Sequence, residues 1–274
     1  MPYVRTRLGR WFYEERGVPK RAGEPAIVLL HGLLFDGGLF KPQVEPLSAL
    51  GRVVVFDGPG HGKSEVPPPF TLEDHTDALV EAFGELGIER AVLVGLSWGG
   101  MIAMRMALQY PGRVRALALL DTSAEREEPA RRVKFRVFIS FGRRFGVPRA
   151  LVDAQLARVF FCDRTLRERP ELVERFTRTV NGFPREGIAR ASLAVVMRKT
   201  EVLSRLGAIR VPTLVLCGRD DRATEPPYAE RIAAGIPGAR LVLLDECGHS
   251  STIERPDEVN AALVPFVHDA LAAV

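Results

Sequence analysis

A serine framed by glycines, Gly95-Leu96-Ser97-Trp98-Gly99, follows the apolar run Ala91-Val92-Leu93-Val94 and precedes the helical pattern Met101-Ile102-Ala103-Met104. A chain that passes from strand to helix in so few residues must turn sharply. Glycines at 95 and 99 remove the Cβ atoms that would collide on either side of that turn. Ser97, at the apex, is expected in a strained backbone conformation with its hydroxyl above the sheet. The N–H groups that open the next helix point at the same spot and favour negative charge there.

A serine hydroxyl is a poor nucleophile near neutral pH and needs a base within hydrogen-bond reach. His249, in the loop Cys247-Gly248-His249-Ser250 just past the run Leu241-Val242-Leu243-Leu244, is suited to that work. The base in turn needs an acid to fix its tautomer. Asp220 and Asp221, after the run ending at Gly218, are the leading candidates, with Asp121 as runner-up. The chain order Ser97, Asp221, His249 is the one that this type of turn predicts. Two backbone donors are expected to receive the developing oxyanion: the N–H of Trp98, directly after the serine, and that of Leu33, after His31-Gly32. His31 and His61 read as braces of their loops rather than as catalysts.

The elements that must hold these residues are legible as continuous apolar runs: Ala26–Leu30, Val53–Phe56, Ala91–Leu96, Val114–Leu120, Val211–Gly218 and Ala239–Leu244. Runs of this kind suit strands buried on both faces of a parallel sheet. Tyr3 to Gly17 alternates and turns near Leu8-Gly9, which predicts a hairpin. Thr71-Leu72-Glu73-Asp74 reads as a capped helix start, and amphipathic patterns predict helices to about Leu86, from the elbow to Tyr110, over Pro227–Ile236 and over Pro256–Ala272. From Ala124 to Gly207 there is no convincing strand. Helical patterns over about 129–145, 148–161, 170–181 and 185–204 predict a separate helical unit rich in phenylalanine.

The 46% hydrophobic and 26% charged content of the 274 residues is that of an ordinary globular protein. A net charge of +4 raises the question of nucleic acid, but the arginines are interleaved with acids and form no basic block, so no nucleic-acid partner is expected. Three cysteines without CxxC spacing indicate neither a disulfide framework nor a zinc site. No apolar run approaches the ~18–20 residues of a membrane span, and no secretory h-region is seen. A cytoplasmic, reducing setting without a membrane partner is therefore the expectation.

The chain resembles an α/β-hydrolase over nearly its whole length. The matching marks are His31-Gly32, Asp57-Gly58-Pro59-Gly60-His61-Gly62-Lys63-Ser64, Gly95-Leu96-Ser97-Trp98-Gly99-Gly100, Gly218-Arg219-Asp220-Asp221, and Cys247-Gly248-His249 followed by Glu254, Pro256 and Asn260. The resemblance implies a mostly parallel central sheet flanked by helices. Residues 1–123 and 208–274 would form the core, with 124–207 inserted as a helical cap. It places the acid three residues after the glycine, which selects Asp221 over Asp220, although Glu225 stands where the family usually has a proline. Trp98 replaces the usual methionine or leucine and is expected to narrow the acyl pocket. The stretches 42–50 and 206–212 are similar to those of small carboxylesterases and 3-oxoadipate enol-lactonases. These features imply a serine hydrolase that cleaves a small carboxylic ester or lactone through an acyl-enzyme, with no cofactor and no metal, and with self-association as a homodimer left open. Carbon–carbon-bond hydrolysis of a vinylogous diketone, perhydrolysis, or ligand binding with little turnover are the alternatives on the same frame.

Overall fold

The apolar runs form the middle of a sheet because their side chains serve two cores at once. β3 (Ala26–Leu30), β4 (Val53–Phe56), β5 (Ala91–Leu96) and β7 (Thr213–Gly218) are buried along their whole length, and β6 (Val114–Leu120) along nearly all of it. Ile27 and Leu29 point to one face with Val92 and Val94, while Val28 and Leu30 point to the other with Leu93. A strand covered on both faces has no polar side, so no alternation shows in its sequence.

The computed structural model describes residues 2–21 and 23–272. Met1, Ala22, Ala273 and Val274, which fall in the expected core range, lie outside the described residues. The hairpin of β1 (Tyr3–Thr6) and β2 (Gly9–Arg16) forms as expected, with Val4 opposite Trp11. With β8 (Arg240–Leu244), eight strands lie in the order β1-β2-β4-β3-β5-β6-β7-β8. β2 runs antiparallel to β4, and every pairing from β4 to β8 is parallel.

Helices α1 (Lys41–Ser48), α2 (Leu72–Glu85) and α3 (Trp98–Gln109) make the connections between the early parallel strands. At the start of α2, Thr71 Oγ1 accepts from Asp74 N at 3.1 Å and Asp74 Oδ2 accepts from Thr71 N at 2.8 Å, a reciprocal cap. The last helix, Pro256–Ala272, buries Val259, Leu263 and Val267 against the core it shares with Leu47 of α1. No helix is expected from the sequence at α1. Its two prolines, Pro42 and Pro46, hide the period, yet Pro42 falls in the first turn, where no N–H is needed.

Between β6 and β7 the described residues contain no strand. The segment opens with α4 (Pro129–Phe145) and continues through helical turns over 149–160, then Asp163–Glu168, Pro170–Gly182 and Arg185–Ser192. The predicted helix over 185–204 stops early. It loosens into a π turn at Leu193–Met197, leaves the helix, and resumes as a 3₁₀ stretch at Leu203–Ala208. Competing tertiary bonds explain the break: Arg198 Nη1 donates to Phe70 O at 3.1 Å, and Arg105 Nη2 to Thr200 O at 2.6 Å.

Candidate active site

Ser97 ends β5 and caps α3 with φ 53° and ψ −112°, a left-handed conformation that costs about 1–3 kcal/mol for a non-glycine residue. Three hydrogen bonds hold it there: Ser97 N donates to Leu120 O at 2.8 Å, and Ser97 O accepts from Met101 N at 3.0 Å and from Thr122 Oγ1 at 2.6 Å. The two glycines are required by close approach. A Cβ on Gly99 would stand 1.9 Å from Leu30 O, and one on Gly95 would stand 2.4 Å from Gly99 C. The helix can therefore start directly above the sheet only with glycine at both places.

Behind the serine, β7 and β8 supply the other two groups. His249 Nδ1 lies 2.8 Å from Asp221 Oδ2. Asp221 also accepts from Ala223 N at 2.8 Å, Thr224 N at 2.9 Å and Thr224 Oγ1 at 2.9 Å, so its carboxylate is held in one orientation. Asp220, by contrast, is exposed to solvent and meets the ring with nothing. Burial opposes protonation of His249, but the charge and hydrogen bond of Asp221, helped by Asp121 and Glu254, outweigh it and raise the pKa above the ordinary value. Nδ1 turned toward the acid leaves Nε2 for chemistry. Among the described residues Ser97 Oγ has no hydrogen-bond partner, His249 Nε2 included. Such bonds are often long or misaligned without substrate and tighten when it binds.

Asp121 does not touch the imidazole. Its own φ is 46°, and its carboxylate accepts from Gly218 N at 3.0 Å and Ser251 N at 3.3 Å, tying the ends of β6 and β7 to the histidine loop. Burial, then the nearby charge of Asp221, push its pKa up to about 8. One donor atom each from Asp121, Cys217 and Asp221 lie within 4.8 Å of one another. These atoms are already engaged in bonds to the protein, and burial pushes the Cys217 thiol far up, away from the thiolate a metal would need.

Glu254 is a residue whose role the sequence did not disclose. It is buried, and its Oε1 accepts from Gly248 N at 3.0 Å and Ser250 N at 3.2 Å, the two peptides on either side of His249. Its Oε2 accepts from Cys162 N at 2.8 Å, in the inserted helical segment. One carboxylate thus ties the His249 loop to the inserted segment.

On the other side of Ser97, the loop carrying Leu33 is braced by two histidines. His31 Nδ1 lies 2.7 Å from Gly32 O and its Nε2 accepts from Gly58 N at 2.7 Å. His61 Nε2 accepts from Leu34 N at 3.2 Å, and burial with the neighbouring His31 lowers its pKa to about 3. The N–H of Leu33 has no acceptor among the described residues, and that of Trp98 is in the first turn of α3, where no helix carbonyl reaches it. The Trp98 indole does not narrow a pocket. It is 1% exposed, packed against His75 at 4.8 Å and His61 at 5.3 Å between ring centroids. The phenylalanines of the inserted segment divide: Phe160 meets His249 in a T-shaped contact at 5.3 Å, Phe183 meets His61 at 5.1 Å, and Phe138, Phe141 and Phe145 face solvent.

A turn-held serine, a histidine fixed by a buried aspartate, and open N–H groups above a parallel sheet define a class of protein before any comparison is made. Residues 25–256 match the family described as alpha/beta hydrolase fold, and the chain belongs to that family. A protein of Caulobacter vibrioides that bears the name "Putative carbamate hydrolase RutD" is 29% identical over 260 residues, covering 94% of this chain and 95% of its own. The 2-hydroxy-6-oxo-6-phenylhexa-2,4-dienoate hydrolase of Comamonas testosteroni is 30% identical over 263 residues, or 90% and 89% of the two chains. The solved enol-lactonase of Burkholderia xenovorans superposes with a TM-score of 0.87 at 32% identity, covering 97% of this chain and 99% of that one.

Proposed function

We propose that the protein is a serine hydrolase that cleaves a small carboxylic ester or lactone through an acyl-enzyme. The observation that carries this reading is the 2.8 Å contact from His249 Nδ1 to a fully bonded Asp221 in the loops beside the strained Ser97. His249 Nε2 takes the Ser97 proton as Oγ attacks the carbonyl carbon. The oxyanion settles between the N–H groups of Leu33 and Trp98, each worth about 3–4 kcal/mol of transition-state stabilisation. The tetrahedral intermediate collapses, His249 passes its proton to the leaving alkoxide, and Ser97 keeps the acyl group. Water, deprotonated by His249, then attacks the acyl carbon and releases the acid, while the proton returns to Ser97. Residues 124–207 act as a cap that closes this site from above, with Phe160 and Cys162 as its points of contact with the base's loop.

Similarity to an enol-lactonase supports an ester-type carbonyl, and the relatives named for a carbamate and for 2-hydroxy-6-oxo-6-phenylhexa-2,4-dienoate are named as hydrolases too. Ser97→Ala is expected to abolish both turnover of nitrophenyl esters and labelling by a fluorophosphonate probe. Undiminished labelling of that variant would overturn the assignment. Faster turnover of a vinylogous diketone ring-cleavage product than of any ester in a chain-length series would move the reading to carbon–carbon hydrolysis.

A further inference from the structure

Helix α4, the first element of the inserted segment, carries six cationic side chains and no acid among its 17 residues. Its inner face, with Phe135 and Ile139, is half-buried against the rest of the protein. Its outer face is apolar. Val133, Val137, Phe141 and Phe145 recur every fourth residue, which places them along one side of the helix, and they are 67%, 66%, 48% and 62% exposed. At about 1.5 Å per residue the stripe runs for roughly 18 Å. Scattered exposed apolar residues need no explanation, but a contiguous stripe marks an interaction surface.

Charge selects what covers it. Arg131 and Arg143 are paired with Glu127 and Glu186, and Arg132 donates to Met197 O. Lys134, Arg136 and Arg144 have no ion-pair partner among the described residues. Helical spacing puts Lys134 and Arg144 within the apolar stripe itself, where long side chains can lie along it and reach past it. A second copy of the chain is a poor fit. Antiparallel pairing about the centre of the stripe sets Lys134 opposite Arg144 of the copy, and parallel pairing sets each cation opposite itself. No acid on the helix relieves either arrangement.

We propose that α4 docks flat on an anionic lipid surface, with the valines and phenylalanines in the acyl boundary and the unpaired cations among the headgroups. The expectation of no membrane partner rests on spanning length, and a helix that lies in the interface needs none. The proposal is independent of the catalytic reading, because its test reads partitioning and not turnover.

Full-length protein is sedimented with phosphatidylcholine vesicles, with and without roughly one-third phosphatidylglycerol, at low and high salt. Binding is expected only to the anionic vesicles and is expected to fail in 1 M salt, where screening shortens to about 3 Å. The double variant V137S/F141S, altered only on the outward face, should lose binding while keeping its turnover of a soluble ester. K134Q and R144Q should each weaken binding by about fivefold. Absence of binding to anionic vesicles, or equal binding by V137S/F141S, would overturn the proposal. So would a dimer of the wild type that V137S/F141S dissolves, since a second copy would then cover the stripe.

Discussion

Two buried carboxylates, Asp121 and Asp221, stand close behind one imidazole, and only Asp221 bonds to it. Asp121, with its pKa pushed to about 8, holds a proton near neutrality. Asparagine is then close to isosteric with it. Asp121→Asn is expected to change kcat by less than about tenfold, against about 10⁴-fold for Asp221→Asn, which inverts the bond that fixes the histidine tautomer. The pH profile separates them further. As the proposed base, His249 would work only when neutral, so kcat/KM is expected to rise as pH climbs through its raised pKa. Asp221→Asn removes the main interactions that raise it and moves that limb to lower pH, while Asp121→Asn removes a smaller contribution and moves the limb less. Equal shifts in the two variants would contradict these roles. Glu254→Gln keeps one acceptor but turns an N–H₂ toward either the Gly248 and Ser250 peptides or Cys162 N. A loss of about 1–3 kcal/mol in transition-state stabilisation is expected, read as a fall in kcat greater than the change in KM. Ser97 and His249 were legible in the sequence because strand ends and glycines announce them. Asp121 and Glu254 were noted there, but not their roles, because their partners are peptide N–H groups, which every residue has. The choice between Asp220 and Asp221 lay in which way a loop turns, and that needed either family resemblance or coordinates.

The elements themselves were read from their periods where burial is uniform. β3 to β7 lie within one or two residues of their apolar runs because both faces of each strand are covered. The inserted segment was less legible. Leu193–Met197 has helical composition, but long-range bonds from Arg198 and to Thr200 unwind the chain just beyond it, and these are set by the fold and not by local preference. Two substitutions test how the elements meet. Gly99→Ala forces a Cβ into Leu30 O and is expected to cost at least about 3 kcal/mol in urea unfolding, with loss of ester turnover as α3 lifts from the sheet. Thr71→Ala removes one half of a reciprocal cap and should cost about 1 kcal/mol without changing kcat.

At the scale of the whole molecule, no helix among the described residues is long and apolar enough to cross a membrane, and the stability of the fold is tied to neutral histidines in its interior. His75 is buried beside Trp11 and Trp98, and burial, with the nearby His31 adding to it, lowers its pKa to about 3. Between that value and about 6.5 the unfolded chain binds a proton that the folded one refuses, so this contribution falls as pH falls. Relative to His75→Phe, the wild type is expected to lose about 1 kcal/mol between pH 7 and pH 5.5 in urea unfolding. A pH-independent difference would show that His75 titrates normally in the fold. The burial of His249 has a different consequence. With its ring 2% exposed, Phe160 packed against it and Glu254 fixing the loop on both sides, His249 offers little surface to the acids and bases of a buffer. In the proposed reaction, the proton taken from Ser97 would then leave with the product or return by the incoming water. Turnover at fixed pH and ionic strength should therefore be indifferent to buffer concentration, and small amines or imidazole added to a His249→Ala variant should fail to restore it.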